Sequence, residues 1–305
     1  HVQLRALVAG KFLALEISEA DAVPYLDRVP LGVIQLIEGF GARVISSGPL
    51  ISRLAARWSP AELAGHRRAA EALARIAGDA LRWAGAELAR GAEVRETAVQ
   101  ARVMEAFSRA ELFTDHPPIV GFQANAANPH YEPRVGSDRS LAAGDVLLLD
   151  LWAGVSAHAV FADQTWMAFA GNEPSGEVRK VWETVRDARD AAVTLLRERW
   201  SQKKPVTGAA LDDATRGVIS RAGYGEYFVH RTGHSIDRDL HGSGPHLDNF
   251  ETADERTLIV GVGFSVEPGI YLPGRFGMRS EINIHVGEAG PEVTPAHPQH
   301  ALLFV

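Results

Sequence analysis

The hydrophobic pattern of the chain predicts two long amphipathic helices, each followed by a shorter helix and then by strands. Ser59, Pro60 and Glu62 form a capping-box start, with the serine as N-cap and the proline at the first helical position, and Gly91 ends that helix. In the second long helix, apolar residues recur at positions 178, 181, 182, 185, 192, 193 and 196, the spacing of one buried helical face. The predicted helices cover residues 59–90, 97–109, 176–200 and 207–222.

Shorter apolar runs between the helices predict strands. The run at 146–149 is typical of a strand buried on both faces, and the turn at Ala153 and Gly154 separates it from a second run, so we expect a hairpin that brings Asp150 and Asp163 onto neighbouring strands. Two helices followed by strands, twice over, favour an α+β fold with two similar halves around one sheet. The other predicted strands are 118–123, 227–234, 264–267, 278–286 and 301–305.

Residues 1–58 have a different pattern. Apolar runs at 12–15, 33–37 and 43–45 are broken by Pro24, Pro30 and a Gly-Phe-Gly turn. This pattern is compatible with a small α/β unit, and on composition alone equally with a linker of marginal structure.

Composition narrows the class of protein. The 305 residues are 46% hydrophobic and 23% charged, which is typical of a globular protein with a sizeable core. The net charge is −7 and Lys and Arg cluster at most in pairs, which argues against nucleic-acid and membrane partners and favours small or peptidic ones. No apolar run approaches a membrane span of ~20 residues and no signal pattern precedes the first helix, so we expect a cytoplasmic protein.

The candidate chemistry centres on the two hairpin aspartates. Either one alone could cap a strand end or lie in a solvated turn, but two carboxylates held close together beside apolar strands need a cation between them. Further ligands follow similar apolar runs at His234, Glu267 and Glu281. The chain has no cysteine, so oxygen and imidazole must hold any metal, and this set suits two divalent ions such as Mn, Co, Fe or Zn.

The order of these motifs resembles a known family. Asp, Asp, His, Glu and Glu occur with Asn128, Pro129 and His130 upstream, and His241 follows seven residues after His234. This arrangement resembles the prolidase and Xaa-Pro aminopeptidase branch of the methionine aminopeptidase-like, or pita-bread, metallopeptidases, from about residue 59 to the C-terminus. The resemblance implies a curved, mainly antiparallel sheet, with 59–305 as the catalytic domain and 1–58 as the remnant of an N-terminal α/β domain.

The resemblance also implies an activity and residue roles. The expected reaction is hydrolysis of the bond between an N-terminal residue and proline, in a dipeptide or longer peptide, by a homodimeric enzyme with two divalent ions, with Mn as the expected metal and Co, Zn or Fe as alternatives. Another hydrolase on this fold, creatinase-like or methionine-specific, or a non-catalytic peptide-binding protein, remains an alternative. The implied metal ligands are Asp150, Asp163, His234, Glu267 and Glu281; the implied catalytic residues are Glu267, His130 and His241; the implied substrate-binding residues are His130, His241 and Arg279. Arg279, two residues before Glu281, is also expected to orient the carboxylates.

Other positions are not assigned to the chemistry or depart from the family pattern. We expect His230 and His246 to be core or loop residues. Asp150 and Asp163 lie 13 positions apart, which predicts a longer hairpin tip than the family pattern, with an intact site. The resemblance implies Arg at position 166 and Glu at position 242, where this chain has Trp166 and Gly242. We expect these departures to affect substrate preference more than metal binding.

Overall fold

The computed structural model describes residues 1–305 apart from the side chain of Asp21. The first part of the chain contains three α-helices, short 3₁₀ turns and a two-stranded parallel sheet in which β1 pairs with β2, and its small apolar cluster includes Val8, Ile37 and Ala42. The apolar runs at 12–15 and 43–45 therefore form strands and the run at 33–37 lies in a helix. The elements are α1 (Val2–Val8), β1 (Phe12–Leu15), α2 (Leu31–Gly39), β2 (Arg43–Ser46) and α3 (Gly48–Leu54).

The first helix-helix-strand half begins at the predicted capping box. The Ser59 side chain accepts a hydrogen bond from the backbone N–H of Glu62 at 3.3 Å, and the Glu62 carboxylate accepts one from the N–H of Ser59 at 2.7 Å. The N-terminus of the long helix is thus satisfied by local side chains. This half comprises α4 (Pro60–Ala89), α5 (Glu96–Arg109), β3 (Ile119–Phe122), β4 (Val146–Ala153) and β5 (Ala162–Phe169).

The second half repeats this order, so the expected pair of α+β halves is confirmed. Thr207 caps its second helix by accepting a hydrogen bond from the N–H of Ala210 at 3.3 Å. No helix in the described part of the chain is both long and apolar enough to span a bilayer. The elements are α6 (Gly176–Ser201), α7 (Gly208–Arg221), β6 (Ser235–Ile236), β7 (Gly263–Val266), β8 (Gly269–Leu272), β9 (Phe276–Arg279), β10 (Ile282–Gly287), β11 (Gly290–Thr294) and β12 (Leu303–Phe304).

The strands of the two halves meet beside the hairpin. One sheet has the order β12-β5-β4-β3, the other β11-β10-β7-β6, and β8 pairs with β9 in a separate ribbon. Within these groups only β12 and β5 pair in parallel. The Asn283 side chain on β10 accepts a hydrogen bond from the N–H of Asp163 at 2.9 Å and donates one to its carbonyl at 2.8 Å. This double contact fixes β5 against β10 and so brings together carboxylates from both halves.

Two predicted strands differ from the structure. The prediction of a strand at 227–234 is wrong, because a 3₁₀ turn occupies Gly225–Tyr227 and the segment before β6 makes one isolated bridge, between Gly233 and Leu247. In this segment the backbone N–H of Thr232 is shared between the Asp212 carboxylate of α7 and the carbonyl of Leu247, at 2.9 and 3.0 Å, and its hydroxyl donates to Asp212 at 2.6 Å. The segment 278–286 is divided between β9 and β10, which belong to different sheets.

Candidate metal centre and active site

The hairpin register places the two aspartates on one face of the sheet. Asp150 is paired with Thr165, and Trp152 is paired with Asp163, so the two carboxylates lie diagonally across adjacent strands. Because alternate residues of a strand point to the same side, all four side chains face the same way. The connection at 154–161 thus preserves the alignment that the site requires.

A tight group of three ligand-type side chains forms where the halves meet. One ligand atom from each of Asp163, His234 and Glu281 lies within 4.8 Å of the others. His234 Nε2 is 3.4 Å from both Asp163 Oδ2 and Glu267 Oε1. Since His234 Nδ1 lies 3.1 Å from the carbonyl of Ser235 and can donate to it, Nε2 is left to face the carboxylates.

The donor set of this cluster fits a divalent cation. Asp163 Oδ1 and Glu281 Oε1 are buried and have no hydrogen-bond partner among the described residues. Orphaned buried oxygens cost free energy, and a cation would satisfy both of them. Carboxylates with one imidazole suit Mn, Fe, Co or Zn, and the absence of cysteine leaves no softer ligand.

The titration behaviour of the cluster supports the same conclusion. Burial raises the pKa of Asp150 to about 7, raises that of Asp163, and raises that of Glu281 well above its usual value, with the neighbouring carboxylates adding to the effect. Burial also acts to raise the pKa of Glu267, but the positive charges of His234 and Arg279 outweigh it and lower the pKa. Concentrated negative charge of this kind is stable in ionised form only with a counter-cation.

Asp150 lies slightly apart from the three-residue group and is held by other side chains. The Arg279 guanidinium forms an ion pair with Asp150, and its Nε donates to the hydroxyl of Thr165 at 2.7 Å. That hydroxyl lies 3.1 Å from Asp150 Oδ1 and 2.8 Å from Glu281 Oε2. These contacts occupy the Arg279 guanidinium and are those expected of a residue that orients carboxylates; its substrate-binding role stays a prediction.

The carboxylates line a cavity of about 350 Å³. His130 is exposed at its wall, and the ring centroid of His241 lies 4.3 Å from that of His234. Partial burial, together with the charge of His234, lowers the pKa of His241, which favours a neutral imidazole. The cavity contains all the predicted site residues: His130, Asp150, Asp163, His234, His241, Glu267, Arg279 and Glu281.

From the sequence we expected His230 to be a core or loop residue. In the structure its side chain also lines this cavity. Its Nε2 lies 2.8 Å from the hydroxyl of Tyr271 and its Nδ1 lies 2.7 Å from the carbonyl of Arg231. An even separation of four residues from His234 in an extended segment could have indicated a shared side. His246, in contrast, is buried behind the site, where its Nδ1 accepts a hydrogen bond from the N–H of Ser235 at 2.8 Å.

Comparison with known proteins decides the family. The model of metallopeptidase family M24 matches residues 66–288. The chain belongs to metallopeptidase family M24. The expected pita-bread fold is confirmed by solved M24 structures: a prolidase from Thermococcus sibiricus has a TM-score of 0.71 at 26% identity, covering 100% of this chain and 75% of that one. An X-Pro aminopeptidase from Thermotoga maritima has a TM-score of 0.71 at 26% identity, covering 97% and 76%.

Curated M24 relatives include an Xaa-Pro dipeptidase of Lactobacillus delbrueckii subsp. lactis. It is 32% identical to this chain over 194 residues, which are 64% of this chain and 48% of that protein. The chain therefore spans about half the length of this relative.

The structure explains why position 242, where the expected M24 pattern has a glutamate, is a glycine. A Cβ at this position would lie 2.7 Å from Asp237 Oδ2. The Asp237 carboxylate accepts hydrogen bonds from the N–H groups of Asp239 and Ser243, at 2.9 and 2.8 Å, and from the Ser243 hydroxyl at 3.0 Å. The loop that carries His241 is therefore built around Asp237, and a glutamate at 242 would not fit this arrangement.

Trp166, the other departure from the expected M24 pattern, does not line the cavity. It alternates with Thr165 along β5, so its side chain lies on the opposite face of the sheet. There its Nε1 donates to Gln164 Oε1 at 2.8 Å, and its ring packs against the apolar core beneath α4. Trp166 is thus a packing residue rather than a wall of the cavity.

Proposed function

We propose that the protein is a dinuclear metal-dependent peptidase that hydrolyses the bond between an N-terminal residue and proline. The observation that carries this proposal is the convergence of Asp163, His234 and Glu281, two of them with unsatisfied buried oxygens, in one cavity. Membership of the M24 family and the names of the Xaa-Pro relatives support the substrate class.

Five side chains would hold two divalent ions, and we propose manganese as the physiological metal. Asp150 would bind one ion, His234 and Glu267 the other, and Asp163 and Glu281 both. When bound, such ions lower the pKa of water and polarise a carbonyl group. Arg279 and Thr165 keep the carboxylates of Asp150 and Glu281 oriented through the contacts described above.

Three side chains would act on the peptide and the attacking water: Glu267, which is also one of the five proposed metal ligands, His130 and His241. Glu267 accepts the proton of the attacking water, for which its lowered pKa keeps it ionised. Its Oε1 already accepts a hydrogen bond from the hydroxyl of Ser265 at 3.0 Å, which orients the carboxylate. His130 and His241 donate hydrogen bonds to the substrate carbonyl and to the oxyanion that develops from it.

Peptide hydrolysis by metal-loaded and chelator-treated protein tests this function. We expect the Mn-loaded protein to cleave Ala-Pro and the chelated protein to be inactive, because the attacking water would no longer be activated. Met-Ala-Ser and creatine serve as comparison substrates. Preferential cleavage of Met-Ala-Ser, metal-independent turnover of creatine, or no turnover of any substrate would each reject the proposal in favour of one of the alternatives.

We also propose that the protein forms a homodimer. Large apolar side chains are exposed at the start of the chain, including Leu7 at 65%, Phe12 at 62% and Leu54 at 74%. Exposed large apolar groups support association with a second copy, and the net charge of −7 is too small to prevent pairing. Light scattering should give about twice the chain mass of 32.9 kDa, and a monomer mass at working concentration would contradict the proposal.

A further inference from the structure

A second cavity adjoins the candidate active site. It has a volume of about 340 Å³ and shares three wall residues, Ile119, His130 and Trp152, with the catalytic cavity. Its remaining wall is formed largely by Pro117, Pro118 and Pro133. The two cavities are therefore neighbours across the histidine that we place at the reacting carbonyl.

The wall between the cavities is held in place by the protein itself. Trp152 lies on the same face of β4 as Asp150, and its Nε1 donates to Asp115 Oδ1 at 2.8 Å. The carbonyl of Pro118 accepts a hydrogen bond from Gln100 Nε2 at 2.9 Å. Proline rings have fixed backbone geometry and the indole is anchored at its polar end, so the second cavity is pre-formed.

We propose that this second cavity binds the residue that follows proline in a tripeptide or longer substrate, and that it favours an uncharged apolar side chain there. This inference rests on the proposed function. Because that reaction removes a single N-terminal residue, a substrate can be extended only beyond its proline. The dipeptide occupies the catalytic cavity, whose 350 Å³ is near the lower end of the range for small-ligand pockets, ~300–1,000 Å³.

The residues of the second cavity's wall determine which substrate side chain binds there. Three prolines, Ile119 and Trp152 offer apolar surface, whereas the charged or titratable groups of the wall, His116, His130 and Glu132, are exposed. An apolar side chain gains free energy by leaving water in such a pocket, and a carboxylate would lose hydration without gaining a buried partner. The same geometry makes an Xaa-Pro dipeptide a substrate that leaves the second cavity unused.

Four peptides test the preference on the Mn-loaded wild-type protein: Ala-Pro, Ala-Pro-Gly, Ala-Pro-Leu and Ala-Pro-Asp. We expect kcat/KM for Ala-Pro-Leu to exceed that for Ala-Pro-Gly by about tenfold and Ala-Pro-Asp to be the poorest tripeptide. The products Pro-Leu and Pro-Gly, added as inhibitors of Ala-Pro hydrolysis, should follow the same order, so that Pro-Leu has the lower inhibition constant. This comparison measures binding separately from turnover.

A charge placed in the wall should abolish the preference. Pro117 is exposed and lies in the second cavity alone, so Pro117→Asp should lower kcat/KM for Ala-Pro-Leu to the level of Ala-Pro-Gly while leaving Ala-Pro unchanged. Pro205→Asp, at an exposed proline between α6 and α7, is the matched control and should retain the wild-type preference.

The outcomes separate this inference from the function on which it rests. Hydrolysis of Ala-Pro without any preference for leucine over glycine would overturn the second-cavity assignment alone. The same conclusion would follow if Pro117→Asp retained the preference for leucine. No hydrolysis of any of the four peptides would overturn the proposed function, and this assignment with it.

Discussion

Replacing Asp163 or Glu281 by alanine is expected to remove both metal ions together and to abolish peptide hydrolysis. Both carboxylates face the centre of the cluster, and each has an oxygen that is buried without a partner among the described residues. Removing a side chain that binds both ions weakens each of them, so the loss of affinity should exceed the roughly 10–100-fold typical of residues that only support a ligand. Elemental analysis after dialysis should fall from about two ions per chain to a small fraction of that value.

Thermal unfolding gives an independent measure of the same loss. Saturating Mn should stabilise the wild-type protein, by about 2.7 kcal/mol for each bound ion when the free ion is at about 100 times its dissociation constant. Asp163→Ala and Glu281→Ala should lose this metal-dependent rise in Tm. Glu105→Ala, at an exposed carboxylate of α5, is the control and should keep both the metal and the rise. Full metal content in either variant at the cluster would contradict the proposed ligand set.

The helices were predictable because their signals are local. The capping box at Ser59 and the apolar spacing of 176–200 each depend on residues within a few turns of one another. The strand prediction at 227–234 failed for the opposite reason. There the backbone N–H of Thr232 is bound by the Asp212 side chain and by the carbonyl of Leu247, partners distant in the sequence that no local pattern reveals.

The site was predictable as a set of residues but not as an arrangement. The motif order indicated which side chains share one cavity, and all of them line it. The pairing of Arg279 with Asp150 and the contact of Thr165 with Glu281 join β4 and β5 to residues more than 100 positions later. Such contacts depend on how the two halves pack, as does the double hydrogen bond of Asn283 that fixes them.

His241→Ala should lower kcat by about a hundredfold or more while leaving the metal content unchanged. The ring of His241 lies against that of His234 and lines the cavity, but it is outside the group of side chains with converging ligand atoms. Its lowered pKa makes the imidazole neutral, with one N–H that it can donate. A donor aimed at the developing oxyanion interacts more strongly in the transition state than with bound substrate, so its loss should fall on kcat more than on KM.

Asp237 provides a second route to the same effect, because it positions the loop that carries His241. Asp237→Ala removes an acceptor of three hydrogen bonds within that loop, so it should also lower kcat with metal retained, and Asp237→Asn should restore part of the activity. His158→Ala, at an exposed histidine of the hairpin connection, is the matched control and should leave kcat unchanged.

Near-normal turnover of His241→Ala would reject its role as a donor. Loss of metal from that variant would instead identify His241 as a ligand, because a residue that only contacts the substrate has no effect on how tightly the ions are held.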